Sequence, residues 1–355
     1  MTRSRIWISH CRPNLGALRI QVLVLTALSL FAPSTIATAD PSGKDGRKYT
    51  LGLWGDMPYT AEQNLKIPAL IDDMNAAKLA FSVFDGDIKS GGSLCTDDVY
   101  TTAVGRFNTF KAPMIYVPGD NEWTDCHRLN NGGYDNLERL DHIRRTMFAT
   151  PYSFGQKTLL LEHQGPLGGL YAENTRWMYG DVVYMGLNVP SSDNNKVGAA
   201  DCMAKSARTQ AQCDADNAEY AARDAANIEW LHQSFEAATA KDALAVMIII
   251  QADPSFDLPE TEGFDERTLP GFDGYNNFLA ALTAETQAFN GQVVLVHGDT
   301  HFFKVDKPLI NQPNLLENFT RVETFGSPNI HWVKVTVDPR SRNIFTFEPM
   351  IVPGN

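Results

Sequence analysis

LAFSVFDGDIKSGG, residues 79–92, holds an apolar run from Leu79 to Phe84 that stops at Asp85-Gly86-Asp87 and gives way to small and polar residues. A short apolar run bounded by a turn reads as a buried strand. The aspartate that closes it, Asp87, is either a turn former or part of a site. The same form recurs along the chain: LGLWGDMPY ends at Asp56 and its turn, MIYVPGD at Asp120 and VVLVHGD at Asp299. Gly-Asp is a common turn pair, and Gly180-Asp181 provides an internal control. It precedes the apolar VVYMGL instead of closing a strand, so it fits a hairpin turn and is assigned no function.

The surrounding sequence sets these turns in an α/β frame. KYTLGLWGD, a helix from about Ala61 to Lys78, the 79–87 strand, a helix around Asp97 to Phe110 and APMIYVPGD follow one another in βαβ rhythm. LLLEHQ, LYAENTRWMYG and VVYMGLNVP read as hairpin-connected strands. A helix follows from about Asn217, with Ala221, Ala225, Ile228, Leu231 and Phe235 at helical spacing. Then come the strand ALAVMIIIQ, a helix near Tyr275 to Phe289 and the strand QVVLVHGD. TRVETFG, HWVKVTVDP and NIFTFEP read as antiparallel strands. Residues 191–216 form a polar insertion, which in a compact domain is functional or pinned by a disulfide. No linker-like stretch divides residues 40–355, which are read as one domain.

The first 39 residues read as a secretory leader. Arg3, Arg5, Arg12 and Arg19 precede or flank an apolar run from Ile20 to Phe31, and Ala37-Thr38-Ala39 offers a cleavage site before Asp40. The apolar run is shorter than the ~20 residues that a spanning helix needs. The expected destination is therefore the periplasm or the cell exterior, with no membrane association after cleavage. Loss of the four leader arginines takes the net charge from −12 to −16. Such acidity argues against nucleic acid as a partner, which needs a basic footprint. Cys95, Cys126, Cys202 and Cys213 remain, an even number suited to disulfides in an oxidising compartment. Proximity favours Cys202–Cys213, which leaves Cys95–Cys126.

In an open α/β sheet, ligands sit beyond the carboxyl ends of the strands. Four aspartates delivered there would repel one another when ionised, and divalent cations relieve that repulsion directly. Here the residues resemble the calcineurin-like metallophosphoesterases, including the purple acid phosphatase branch. The motifs that carry the resemblance are Gly55-Asp56-Met57-Pro58, Gly86-Asp87 through Gly92, Gly119-Asp120-Asn121-Glu122, Gln251 after AVMIII, and Gly298-Asp299-Thr300-His301. They stand in the family's order and span most of the chain after the leader.

The resemblance implies a two-sheet β-sandwich flanked by helices, with two metal ions at one edge. It implies hydrolysis of phosphate esters in small phosphorylated substrates by a bridging hydroxide. Asp87 would face both ions, Asp56 and His301 would hold one, and Asp120, Gln251 and Asp299 the other. The departures from the family pattern are Pro58, Gln251 and Asp299 where histidine is usual, Asp120 where asparagine is usual, and Asn121 in place of the catalytic histidine. Tyr59 is the nearest substitute for the first missing ligand, although it reads first as a turn or pocket residue, and Asp253 is an alternative to Gln251. Such an oxygen-rich set suits Mn, Mg or Ca better than Fe or Zn.

Asn121 cannot give a proton to a leaving alkoxide, so His127 and His331 are the candidate substitutes. His331 alternates in phase with Val333, Val335 and Val337, which reads first as a core histidine. Arg128 is suited to grip phosphate oxygens, Trp123 is a candidate pocket wall, and Lys89 reads as solvent-facing. The alternative to an enzyme is a degenerate relative that binds metal or a phosphorylated ligand without turnover.

Overall fold

The computed structural model describes residues 46–256, 272–311 and 314–355, so the expected leader lies outside the described residues. The strands in chain order are β1 (Tyr49–Trp54), β2 (Ser82–Phe84), β3 (Met114–Tyr116), β4 (Glu162–His163), β5 (Thr175–Tyr179), β6 (Val182–Gly186) and β7 (Ala245–Ile249). They continue with β8 (Gln292–His297), β9 (Lys304–Asp306), β10 (Ile310–Asn311), β11 (Asn314–Leu315), β12 (Phe319–Glu323), β13 (Trp332–Val337) and β14 (Phe345–Met350). One sheet runs β14-β13-β1-β2-β3 and the other β4-β5-β6-β7-β8-β12-β9, with β10-β11 a separate hairpin.

Alternation along each strand sorts the side chains into layers. Leu51, Leu53, Val83 and Ile115 of the first sheet, with Phe81 just before β2, meet Met247, Ile249, Val294 and Val296 of the second in one buried cluster, which is the interior of a β-sandwich. On the far side of the first sheet, Trp54, Phe84 and Tyr116 pack against Met74, Phe107 and Leu140 from the helices Ala61–Ala76, Asp97–Phe107 and Asn136–Met147. On the far side of the second, Val246, Ile248 and Leu295 pack against Leu231, Phe235, Phe278 and Leu282 from the helices Gln210–Ala240 and Asn276–Ala288. The expected α/β two-sheet sandwich flanked by helices is what the chain forms.

Several local expectations shift. The long helix begins at Gln210, seven residues before the expected Asn217, because Thr209 and Gln212 form a capping box and Cys213 is tied to Cys202. The polar insertion therefore ends earlier, and both expected disulfides form, Cys95–Cys126 being the other. The helix Asn136–Met147, capped by Asp135, was not read from the sequence. Of the C-terminal strands, β12 inserts beside β8 in parallel, while β13 and β14 are antiparallel as expected. Gly180-Asp181 is the two-residue turn between the paired Tyr179 and Val182.

Candidate metal centre

Strands β1, β2 and β3 are parallel, as are β6, β7 and β8, so the loops after each group open at one edge of their sheet. Asp56, Asp87, Asp120, Gln251 and Asp299 all follow such strand ends. The glycine before an aspartate has a steric reason. A Cβ on Gly119 would overlap the Asp87 carboxylate, and one on Gly298 would overlap that of Asp56. The carboxylate of one turn thus occupies the space above the glycine of another. Asp56 (φ 50°), Asp87 (φ 66°), Asp299 (φ 73°) and His301 (φ 69°) adopt the left-handed region, which non-glycine residues enter rarely and Asp and His more often than most.

The Tyr59 hydroxyl stands among these groups. It donates to Asp87 Oδ2 at 2.8 Å and lies 3.3 Å from Asp56 Oδ1 and 3.5 Å from His301 Nε2. Asp87 also accepts from the Asn121 backbone N–H at 3.1 Å and from the Asn121 side-chain amide. Asp56 accepts from the Asp299 N–H at 3.2 Å, and its Oδ1 is 3.4 Å from His301 Nε2. His301 Nδ1 bonds the Ser327 carbonyl at 2.7 Å, which turns Nε2 toward the carboxylates, as in histidines that ligate metals. Tyr59, read from the sequence first as a turn or pocket residue, is thus central.

Supporting residues come from far along the chain. One oxygen of buried Glu122 accepts from the N–H groups of Gly119 and Asp87 and from the Tyr116 hydroxyl, locking two of the aspartate turns together. The Ser192 hydroxyl lies 2.8 Å from both Asp120 Oδ2 and Asp125 Oδ1, and its one proton bonds one of them at a time. It belongs to a run, Ser192 to Asn195, in which every residue has a left-handed φ, and the fully buried Arg223 holds that run through the Asn194 carbonyl and side chain. Ser192 carried no sequence signal beyond its place in the polar insertion.

Other expected site residues are placed differently. Gln251 Oε1 accepts from the Ser191 N–H at 2.7 Å, so the group it presents to Asp299, 3.4 Å away, is its NH2. An amide NH2 donates and does not ligate, so Gln251 orients Asp299. Asp253 turns toward His297 and Glu323. Arg128 pairs with Asp125 and reaches Ser192 Oγ at 3.4 Å, leaving its part-exposed guanidinium at the rim. His127 bonds the Thr124 carbonyl, and burial with the nearby Arg208 pushes it down to about 4, so it is neutral at pH 7. His331 is half-buried with its ring against Phe325, not in the core. Trp123 is wholly buried under the Arg223 guanidinium and forms no pocket wall. Lys89 is buried rather than solvent-facing, and burial lowers its pKa.

The donors fit divalent cations. Asp56, Asp87 and Asp120 are 0%, 2% and 7% exposed, and among the described residues no Lys or Arg pairs with them at ion-pair distance. Burial, with Asp120 next, holds Asp87 well above the usual carboxylate range and raises Asp299 to about 7; burial also raises Asp120. Although burial alone would lower His301, its hydrogen bond to Asp56 raises its pKa.

A carboxyl whose folded value is raised contributes stability that is complete below its unfolded value, near 4, and is lost as pH rises through the folded value. The melting temperature of metal-free protein is therefore expected to fall between pH 5 and pH 8. A bound dication replaces those protons, so the gain in melting temperature on adding Mn2+ should grow over the same range. Scanning calorimetry at several pH values measures both; a gain that shrinks with rising pH would contradict this account.

No protein-family model matches the chain, and neither does any curated protein sequence. Solved structures do match. One titled PhoD aligns over 87% of this chain and 67% of its own at 11% identity, with a TM-score of 0.49. A purple acid phosphatase from yellow lupin (Lupinus luteus) seeds aligns over 88% of this chain and 53% of its own at 11% identity, TM-score 0.48. A dimetal phosphatase from Danio rerio aligns over 86% of this chain and 99% of its own at 11% identity, TM-score 0.45. These structures are what the chain is similar to in overall path, and the chemistry of the centre rests on the residues described above.

Proposed function

We propose that the chain is a divalent-metal-dependent hydrolase of phosphate esters. The observation that carries this reading is the meeting of Asp56, Asp87 and His301 at the Tyr59 hydroxyl, with Asp120 beside Asp87 and the Asp299 N–H bonded to Asp56. Asp56, Asp87 and Asp120 are buried there without a Lys or Arg ion pair among the described residues. Asp56 and His301 would hold one ion, Asp120 and Asp299 a second, and Asp87 would face both. Two such ions supply Lewis acidity and an activated water for in-line displacement at phosphorus.

The remaining work falls to the chain itself. The Asn121 amide donates to Asp87 and Tyr59 and would give up one of these bonds to donate to a phosphoryl oxygen. Lys89 keeps a buried ammonium within electrostatic reach of Asp87 and Asp120. Arg128, held by Asp125, meets an anionic substrate at the rim. Two disulfides favour an oxidising compartment, which agrees with a secreted or periplasmic setting. Among the described residues no helix is long and apolar enough to cross a membrane.

A binding-only reading is favoured by one observation, the Asn121 amide standing where a proton donor is expected. The deciding experiment loads dialysed protein with Mn2+, Mg2+ or Ca2+ and assays p-nitrophenyl phosphate. Metal-dependent turnover that EDTA abolishes supports the hydrolase. About two bound equivalents without turnover would support the binding protein, and no bound metal under any loading would sink both.

A further inference from the structure

Among the described residues, one group of three His, Cys, Asp or Glu side chains brings a ligand atom from each to within 4.8 Å of the others, and it comprises Asp253, His297 and Glu323. His297 and Glu323 are direct neighbours in the parallel β8–β12 register and share a face of the sheet. Asp253 reaches them from the segment after β7. We propose that these three side chains bind one further divalent transition-metal ion, of the Zn2+ or Co2+ type, through one imidazole and two carboxylates.

His297 is 0% exposed. Its Nδ1 lies 3.0 Å from the Gly298 carbonyl, so that nitrogen carries the proton and donates it. Nε2 is then the lone-pair nitrogen, and it is buried with no hydrogen-bond partner. Glu323 is also 0% exposed, and its Oε2 has no hydrogen-bond partner either. A buried lone pair facing carboxylate oxygens is repulsive, and orphaned buried polar atoms are costly. A cation among them satisfies all three donors at once. Donors that ligate one ion at ~2.0–2.4 Å stand at about this mutual spacing.

Internal cations do not fill the role. Lys304 Nζ is 3.5 Å from Glu323 Oε2 but part-exposed, and Arg321 Nη1 is 4.0 Å from Asp253 Oδ2 while its fork is engaged by Asp306. One imidazole nitrogen with carboxylate oxygens is a donor set that zinc accepts, with solvent completing the coordination. The other oxygen of Glu323 already accepts from the Thr300 hydroxyl at 2.6 Å and the Phe302 N–H at 2.7 Å. Glu323 therefore holds the loop that carries Asp299 and His301, and an ion on Oε2 would stiffen that loop.

The test separates this ion from those of the aspartate centre. Full-length protein carrying Asp56→Asn and Asp87→Asn, loaded with Zn2+ or Co2+ and dialysed, is expected to retain one equivalent by elemental analysis. With Co2+ that equivalent should show d–d absorption bands. Adding His297→Gln or Glu323→Gln, both close in shape, should remove the equivalent and the bands while circular dichroism still reports a folded chain. Asp253→Asn, at the part-exposed edge of the trio, should weaken binding at least tenfold and serves alone if the buried substitutions unfold the protein. Absence of the equivalent from the folded Asp56→Asn/Asp87→Asn protein would overturn the proposal. So would its undiminished retention in the His297, Glu323 or Asp253 variants.

Discussion

Replacing Asp87 with asparagine is expected to lower kcat/KM for an aryl phosphate by about 10³-fold, the kinetic equivalent of losing roughly 4 kcal/mol of metal-derived transition-state stabilisation. The same substitution should raise the melting temperature of the metal-free protein at pH 7 to 8. The opposite signs follow from the position of this carboxylate. It is 2% exposed, and burial beside Asp120 and Asp56 holds its pKa high, so carrying a charge there costs the folded state free energy. The amide keeps the shape. Its oxygen can still accept from the Asn121 N–H, its NH2 can face the Tyr59 hydroxyl, which accepts as readily as it donates, and the Asn121 side-chain amide can turn over to offer that NH2 its oxygen. What disappears is the anion that, on the proposed reading, would face both ions. Steady-state kinetics, metal content per chain and calorimetry on one preparation test the pair of effects. Turnover within a few-fold of the wild type would remove Asp87 from the centre.

The four Gly-Asp strand ends were legible in the sequence because both residues are constrained at once. Each aspartate closes a buried run, and at Gly119 and Gly298 a side chain is excluded by the carboxylate of another turn. The layered fold was legible for a related reason: Val246 and Ile248 face the helices while Met247 and Ile249 face the other sheet, so both faces of β7 must be apolar. What stayed hidden depends on distant contacts. Ser192 meets Asp120 across 72 residues, through a left-handed run that Arg223 fixes from the long helix. The inversion of Gln251 from ligand to donor turns on one bond to the Ser191 N–H, 60 residues away. The burial of Lys89 is likewise set by packing and not by neighbouring letters.

The identity of residue 121 leads to the second large effect. Wild-type protein is expected to hydrolyse aryl phosphates about 10²–10⁴-fold faster than simple alkyl phosphates, the range that a positioned general acid contributes. An alkoxide needs a proton as it leaves, whereas a nitrophenolate does not. Asn121 Nδ2 is already donating to Asp87 and to Tyr59 Oη at 3.2 Å, and an amide has no proton to give up. His127 is neutral at pH 7 and turned to Thr124, and His331 Nδ1 lies 2.9 Å from the Ile330 carbonyl. Asn121→His should restore the missing donor, raising alkyl ester turnover at least tenfold with little change for the aryl ester. The measurement is kcat/KM for p-nitrophenyl phosphate and for a simple alkyl phosphate, in both proteins, under conditions where chemistry limits the rate. Equal rates for the two esters in the wild type would mean that another group supplies the proton. Lys89, whose buried ammonium has a lowered pKa, would then be the residue to replace with methionine, because loss of that acid should slow the alkyl ester and spare the aryl one.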